Sequence, residues 1–116
     1  MKKMEHILKL QPKYFEYINS GTKRMELRLY DEKRQKIAIG DTIIFKKEPE
    51  LETTLQVKVI GLLRYNTFEE LFKDFGIEIM ADKSMTKQEL LNDLEKFYTP
   101  EKQKQYGVLG IRIEKI

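Results

Sequence analysis

The densest chemical signal in the sequence is a run of four charged side chains, Lys23, Arg24, Glu26 and Arg28, just after Ser20-Gly21-Thr22. They interleave with Met25, Leu27 and Leu29, a period of two that reads as a strand beginning at Thr22. On that reading Thr22, Arg24, Glu26 and Arg28 share one face, and Lys23, Met25, Leu27 and Leu29 the other. The charged face is expected to be the outer, solvated one. Two chemistries fit it. Glu26 can neutralise Arg24 and Arg28 across an exposed surface, which contributes less than about 1 kcal/mol per pair. Alternatively, Glu26 can hold an arginine fork in place for a phosphate or a base edge. Spacing alone leaves both open.

Other chemistries are excluded by what is missing. With no cysteine and one histidine, His6, the chain has too few ligands for zinc or a transition metal, so no metal is expected. His6 itself reads as a strand-end residue. Ser20 and Ser84 are the only serines, and neither forms a recognisable motif with His6, which argues against a Ser-His hydrolase. The six glycines are scattered singly, so no phosphate-cradling loop or dinucleotide fingerprint occurs and no cofactor is expected. Phe68, Phe72, Phe75 and Phe97 fall on apolar helix faces and read as core. Tyr30, Tyr65 and Tyr106 end strands or begin loops, where a ring can either pack or stack on a base.

The elements that must position these residues are legible in outline. His6 to Leu10 reads as a short strand, and Pro12 suits the first turn of a helix whose apolar face is Tyr14, Phe15 and Ile18. Gly21 is placed to end that helix at the C′ position. Gly40-Asp41 is a turn before a strand from Thr42 to Lys46, and Pro49 marks another turn. Leu55 to Tyr65 alternates as a long strand, with Gly61 suggesting a bulge. Thr67 with Glu70 opens a helix expected to run to Gly76, and Thr86 with Glu89 opens one carrying Leu90, Leu91, Leu94, Phe97 and Tyr98. Thr99-Pro100 can open one more turn, and Val108 to Ile113 is a final strand. Several short, bent strands with helical excursions suit an α+β fold, a small, partly closed β-barrel with helices packed at its openings.

At 116 residues, 41% hydrophobic and 35% charged, the chain fits one domain, residues 1–116, able to bury a core. The cysteine-free composition favours a reducing compartment, and a cytoplasmic location is expected. The basic start, Met1-Lys2-Lys3-Met4, is followed only by Ile7 to Leu10, broken by Lys9, which does not read as a targeting signal. No run approaches the roughly 20 apolar residues needed to span a bilayer, so no membrane association is expected. The net charge of +3 is unevenly spread: residues 1–36 carry ten Lys/Arg against five Asp/Glu, and residues 66–101 four against nine. If the first and last strands lie close together, the basic portions gather on one side, as suits a polyanionic partner.

Gly21-x-Lys23-x-x-Glu26-x-Arg28, followed by Ile39-Gly40-Asp41-x-Ile43, by Thr67 to Phe72 and by Tyr106 to Ile111, resembles the ASCH domain, a branch of the PUA-like β-barrel superfamily. The likeness spans nearly the whole chain. It implies a cleft lined by Lys23, Glu26 and Arg28 that binds RNA or a nucleotide; Arg24 is added as flanking charge from its place on the strand, not from the family pattern. Some ASCH-like proteins are instead amidohydrolases of N4-acetylcytidine nucleosides, with a lysine, a threonine three residues on, and a glutamate ahead of an Asn-Met-Thr segment. Here Lys23 matches, but Glu26 stands at the threonine and Lys83 at the glutamate, ahead of Ser84-Met85-Thr86. Asp82 or Glu78 would have to substitute. Binding is therefore expected rather than catalysis. A hydrolase, if present, would use Lys23 and Glu26, and a protein-interaction module is the third reading. Oligomeric state is not legible.

Overall fold

The computed structural model describes residues 3–116; Met1 and Lys2, part of the basic start, lie outside that range. The period-two stretches become five strands: β1 (Glu5–Leu10), β2 (Met25–Leu29), β3 (Thr42–Lys47), β4 (Thr54–Tyr65) and β5 (Val108–Lys115). They form one sheet in the order β1-β3-β4-β5-β2, with β1 and β3 parallel and the other neighbours antiparallel. The sheet curls into a half-barrel with helices packed against it. Its interior is built from alternating positions such as Ile43, Phe45, Val57, Val59, Ile111 and Ile113. Each of these side chains contributes roughly 1.5–3 kcal/mol by leaving water. The β4–β5 register shifts between Val59 and Gly61, the bulge that Gly61 suggested, and bends the long strand.

Among the described residues five α-helices follow the apolar faces: α1 (Pro12–Asn19), α2 (Phe68–Phe72), α3 (Ile77–Met80), α4 (Lys87–Glu95) and α5 (Pro100–Tyr106). Pro12 opens α1, and Tyr14, Phe15 and Ile18 are its buried residues. Thr86 and Glu89 make a complete capping box on α4. No helix is long and apolar enough to cross a membrane among the described residues.

The helix ends and the strand order depart from expectation in three places. The helix from Thr67 stops at Phe72, where the Lys87 ammonium donates to the Phe72 carbonyl, and Gly76 caps the start of α3 instead of ending one long helix. The helix from Thr86 ends at Glu95, so Phe97 leaves the core and is 54% exposed. The first and last strands are not neighbours, because β3 and β4 separate β1 from β5. The strands that approach one another across the open seam of the half-barrel are β1 and β2, and there the candidate site lies.

Candidate functional site

Residues 20–24 turn the chain from α1 into β2. Gly21 adopts a left-handed conformation (φ 86°), which a side chain would disfavour, and donates to the Ile18 carbonyl. The Lys23 amide donates to the Tyr17 carbonyl at 2.9 Å, fixing Lys23 just ahead of the strand. In β2 all five residues are buried, unlike the half-exposed strand expected from the alternation. Pairing with β5 explains why. Met25 and Leu27 lie opposite Arg112 and Gly110, and at Gly110 the neighbours are Met25 Sδ and Leu71 of α2, so this face is covered by helix. Glu26 and Arg28 lie opposite Ile111 and Leu109, on the face that belongs to the barrel interior. The charged face therefore points inward, and the apolar face is the outer one, covered by helix.

Glu26 sits between two cations. Arg28 Nε donates to Glu26 Oε2 at 2.7 Å, and Arg28 Nη2 lies 2.7 Å from the same oxygen. Nη2 also donates to the Lys9 carbonyl of β1 at 2.7 Å, bridging the seam. On the other side Lys23 Nζ is 3.4 Å from Glu26 Oε1 and donates to the Met25 and Met80 carbonyls, each at 2.6 Å. Its three N–H groups thus face three acceptors. Burial alone would raise the Glu26 carboxyl, but Arg28 and Lys23 together hold it below the usual carboxylate range. Burial presses the Lys23 ammonium below the ordinary lysine range against the pull of Glu26. Burial also opposes charge on Arg28, and Glu26 outweighs it, raising the guanidinium further.

This triad forms one wall of a cavity of about 310 Å³ in the seam. Leu10 and Tyr14 line it from the β1–α1 side, and Leu90, Leu94, Phe97 and Tyr98 from α4 and the segment after it. Three basic side chains (Lys9, Lys23, Arg28) and three acidic ones (Glu26, Glu48, Asp93) contribute to the lining, which is otherwise mainly apolar. At its edge the Tyr14 hydroxyl donates to Asp93 Oδ2 at 2.5 Å. Burial and that bond push the Tyr14 phenol far above its ordinary range.

Lys23, Glu26 and Arg28 are brought together. Arg24 is not with them: its side chain is exposed, away from the cavity, while its backbone bonds to Ile79 and Ile113. Tyr30, Tyr65 and Tyr106 are also elsewhere; Arg64 stacks on Tyr30 at 3.9 Å, and the Tyr65 hydroxyl donates to Asp74. Glu78, Asp82 and Lys83 do not line the cavity, and Asp82 is occupied by Ser84. The residues that sequence reasoning missed are Tyr14, Asp93 and Tyr98. Tyr14 and Tyr98 were read as helix-face core, and their hydroxyls were the available signal, since a buried hydroxyl needs a partner. His6 pairs with buried Asp41 at 2.8 Å, where Asp41 also accepts the Met4 and Ala38 amides, so its role is to pin β1 to the start of β3.

The family model of the ASCH domain matches residues 8–116. The chain belongs to the ASCH domain family. Among solved structures, this ASCH protein is similar to hypothetical protein PH0355, with 40% identity, a TM-score of 0.84 and coverage of 99% of this chain and 100% of that one. It is likewise similar to protein PF0455 from Pyrococcus furiosus, at 36% identity and a TM-score of 0.77, over 97% of this chain and 98% of that one. The ASCH protein of Zymomonas mobilis, solved as an S128A mutant, shares the fold at 14% identity and a TM-score of 0.68, over 95% of this chain and 67% of that one. No curated protein matches the chain.

Proposed function

We propose that this ASCH domain binds RNA or a nucleotide by taking one base into the seam cavity. The observation that carries the reading is the Lys23–Glu26–Arg28 triad, buried and internally paired, on the wall of a mainly apolar cavity flanked by aromatic rings. A polyanion site needs uncommitted positive charge, whereas here Arg28 is held by Glu26 and the lining charges balance. A base needs something different: an apolar slot for its faces and fixed donors and acceptors at its edge. Arg28 supplies donors, Glu26 an acceptor, and Phe97, half-exposed at the rim, a ring to stack on. Because the triad is already assembled, little ordering entropy is lost when a base enters.

Binding is favoured over amide hydrolysis by the state of Lys23. Burial lowers the Lys23 pKa, as a lysine that attacks or takes a proton requires, but such a lysine also needs a lone pair directed at the substrate. Lys23 instead directs its N–H groups at two carbonyls and a carboxylate. A cytoplasmic setting fits this reading and the absence of cysteine. The experiment that tests the proposal is a thermal-stabilisation screen of nucleosides, nucleotides and short single-stranded RNAs. A true ligand at 100 times its Kd adds about 2.7 kcal/mol. If none of these stabilises the wild-type protein, the reading is wrong.

A further inference from the structure

Among the described residues β1 and β2 end the sheet, so each has one edge without a neighbouring strand, and these edges face the seam. Main-chain groups alternate in direction along an antiparallel strand. The Arg24 carbonyl accepts from the Ile113 amide and the Tyr30 amide donates to the Gly107 carbonyl, so the even positions of this stretch turn to β5. The odd positions turn away from β5, and the Met25 carbonyl accordingly accepts from Lys23 Nζ. Leu27 is the odd position that lines the cavity. Its side chain lies on the outer, helix-covered face with Met25, so what it turns to the cavity is its main chain, an N–H and a C=O side by side. A donor and an acceptor without ladder partners must meet water or a ligand. Arg28 adds a donor next along the strand. Its Nε and Nη2 are given to Glu26 and to the Lys9 carbonyl across the seam, which leaves the two N–H groups of Nη1. The Tyr98 hydroxyl, close to the same guanidinium, can take only one of them.

We infer that the main chain of Leu27, together with Arg28, makes this site selective for uracil-type bases, whose pairing edge presents an acceptor, an N–H donor and an acceptor in that order. This rests on the base-binding reading of the cavity and narrows it. Uracil offers its C4 carbonyl to the Leu27 N–H, its N3–H to the Leu27 carbonyl and its C2 carbonyl to Arg28 Nη1. The other bases each lose part of this match. Guanine presents acceptor, donor, donor, and its 2-amino group meets Arg28, donor against donor. Cytosine pairs both Leu27 groups only by turning its C2 carbonyl to the Glu26 carboxylate, acceptor against acceptor. Adenine pairs both Leu27 groups through N1 and N6 but has no further acceptor on that edge for Arg28. A buried polar group left unpaired is what rejects a near-analogue most strongly.

The test titrates the wild-type protein with uridine, cytidine, adenosine, guanosine and N3-methyluridine by calorimetry. The N3 methyl group removes the one donor that faces the Leu27 carbonyl and leaves the rest of the nucleoside unchanged. Uridine should bind about tenfold or more tightly than each of the other four, as one lost hydrogen bond with its partner left unpaired implies. Amide exchange followed by NMR reads the main chain itself. In the free protein the Leu27 amide should exchange faster than the Glu26 and Arg28 amides, which face β5, and uridine should protect it. If another nucleoside or N3-methyluridine binds as tightly as uridine, or if uridine leaves the Leu27 amide unprotected, the uracil inference is overturned while the base pocket stands. If none of the five binds, the base pocket itself is wrong and the inference falls with it.

Discussion

Replacing Glu26 by Gln keeps the side chain's shape and removes the one anion between two buried cations. Lys23 is 3% exposed and Arg28 8% exposed, so neither can recover its hydration without opening the fold. Breaking a buried pair on one side costs about 3–5 kcal/mol, because charge is left uncompensated. A domain of this length loses roughly 4 °C of Tm per kcal/mol, so Glu26→Gln should melt about 10–20 °C lower. The pH dependence supplies a signed readout. The Glu26 carboxyl is held below its ordinary range, so at acid pH the unfolded chain binds its proton first. Its stabilising contribution is therefore complete above the unfolded carboxylate pKa, about 4.3, and is lost as pH falls through the folded value. Glu26→Gln should lack that acid limb. Lys23 should respond on the alkaline side. Without the carboxylate its lowered pKa falls further, and because the folded state then binds fewer protons, the variant regains stability as pH rises through that value. Urea unfolding followed by circular dichroism from pH 3 to 10 reads all three effects. A loss below about 1 kcal/mol at pH 7, with the acid limb intact, would mean that the triad behaves as a solvated surface network and would refute the argument.

Three further outcomes are expected. Gly21→Ala should cost about 1–2 kcal/mol in urea unfolding, since φ 86° disfavours a Cβ although no neighbour would clash with one; a neutral result would mean that the turn relaxes freely. In an alkaline absorbance titration Tyr14 should remain protonated while exposed tyrosines ionise, and Tyr14→Phe should leave the observed titration unchanged. Wild-type protein incubated with N4-acetylcytidine should give no acetate by chromatography; turnover abolished by Lys23→Ala would promote the hydrolase reading.

Much of the fold was legible because it is written in local chemistry. Pro12, Gly21, the Thr86–Glu89 box and the bulge at Gly61 each specify a backbone event within a few residues. The alternation in β2 also fixed which residues share a face. It could not fix which face is solvated, because that depends on a helix some forty residues away, α2, covering Met25 and Gly110. Lys23, placed by parity with the apolar side chains, nevertheless reaches Glu26. The turn at Gly21 sets it before the strand, where pleating no longer governs direction. Grouping Arg24 with the triad failed to anticipate this. Tyr14 comes from α1, Asp93 from α4 and Tyr98 from the segment after α4, and only the packing of these parts across the seam makes them neighbours of β2.

The central claim is that a base enters the seam cavity and meets Glu26 and Arg28. Backbone amide NMR of the wild-type protein, titrated with the best ligand from the stabilisation screen, tests it most directly. Shifts should concentrate at Lys23 to Arg28, Tyr14 and Phe97, and Arg28→Ala should weaken binding by about 1–3 kcal/mol. Shifts confined to other surfaces, or an affinity indifferent to Arg28→Ala, would contradict the account.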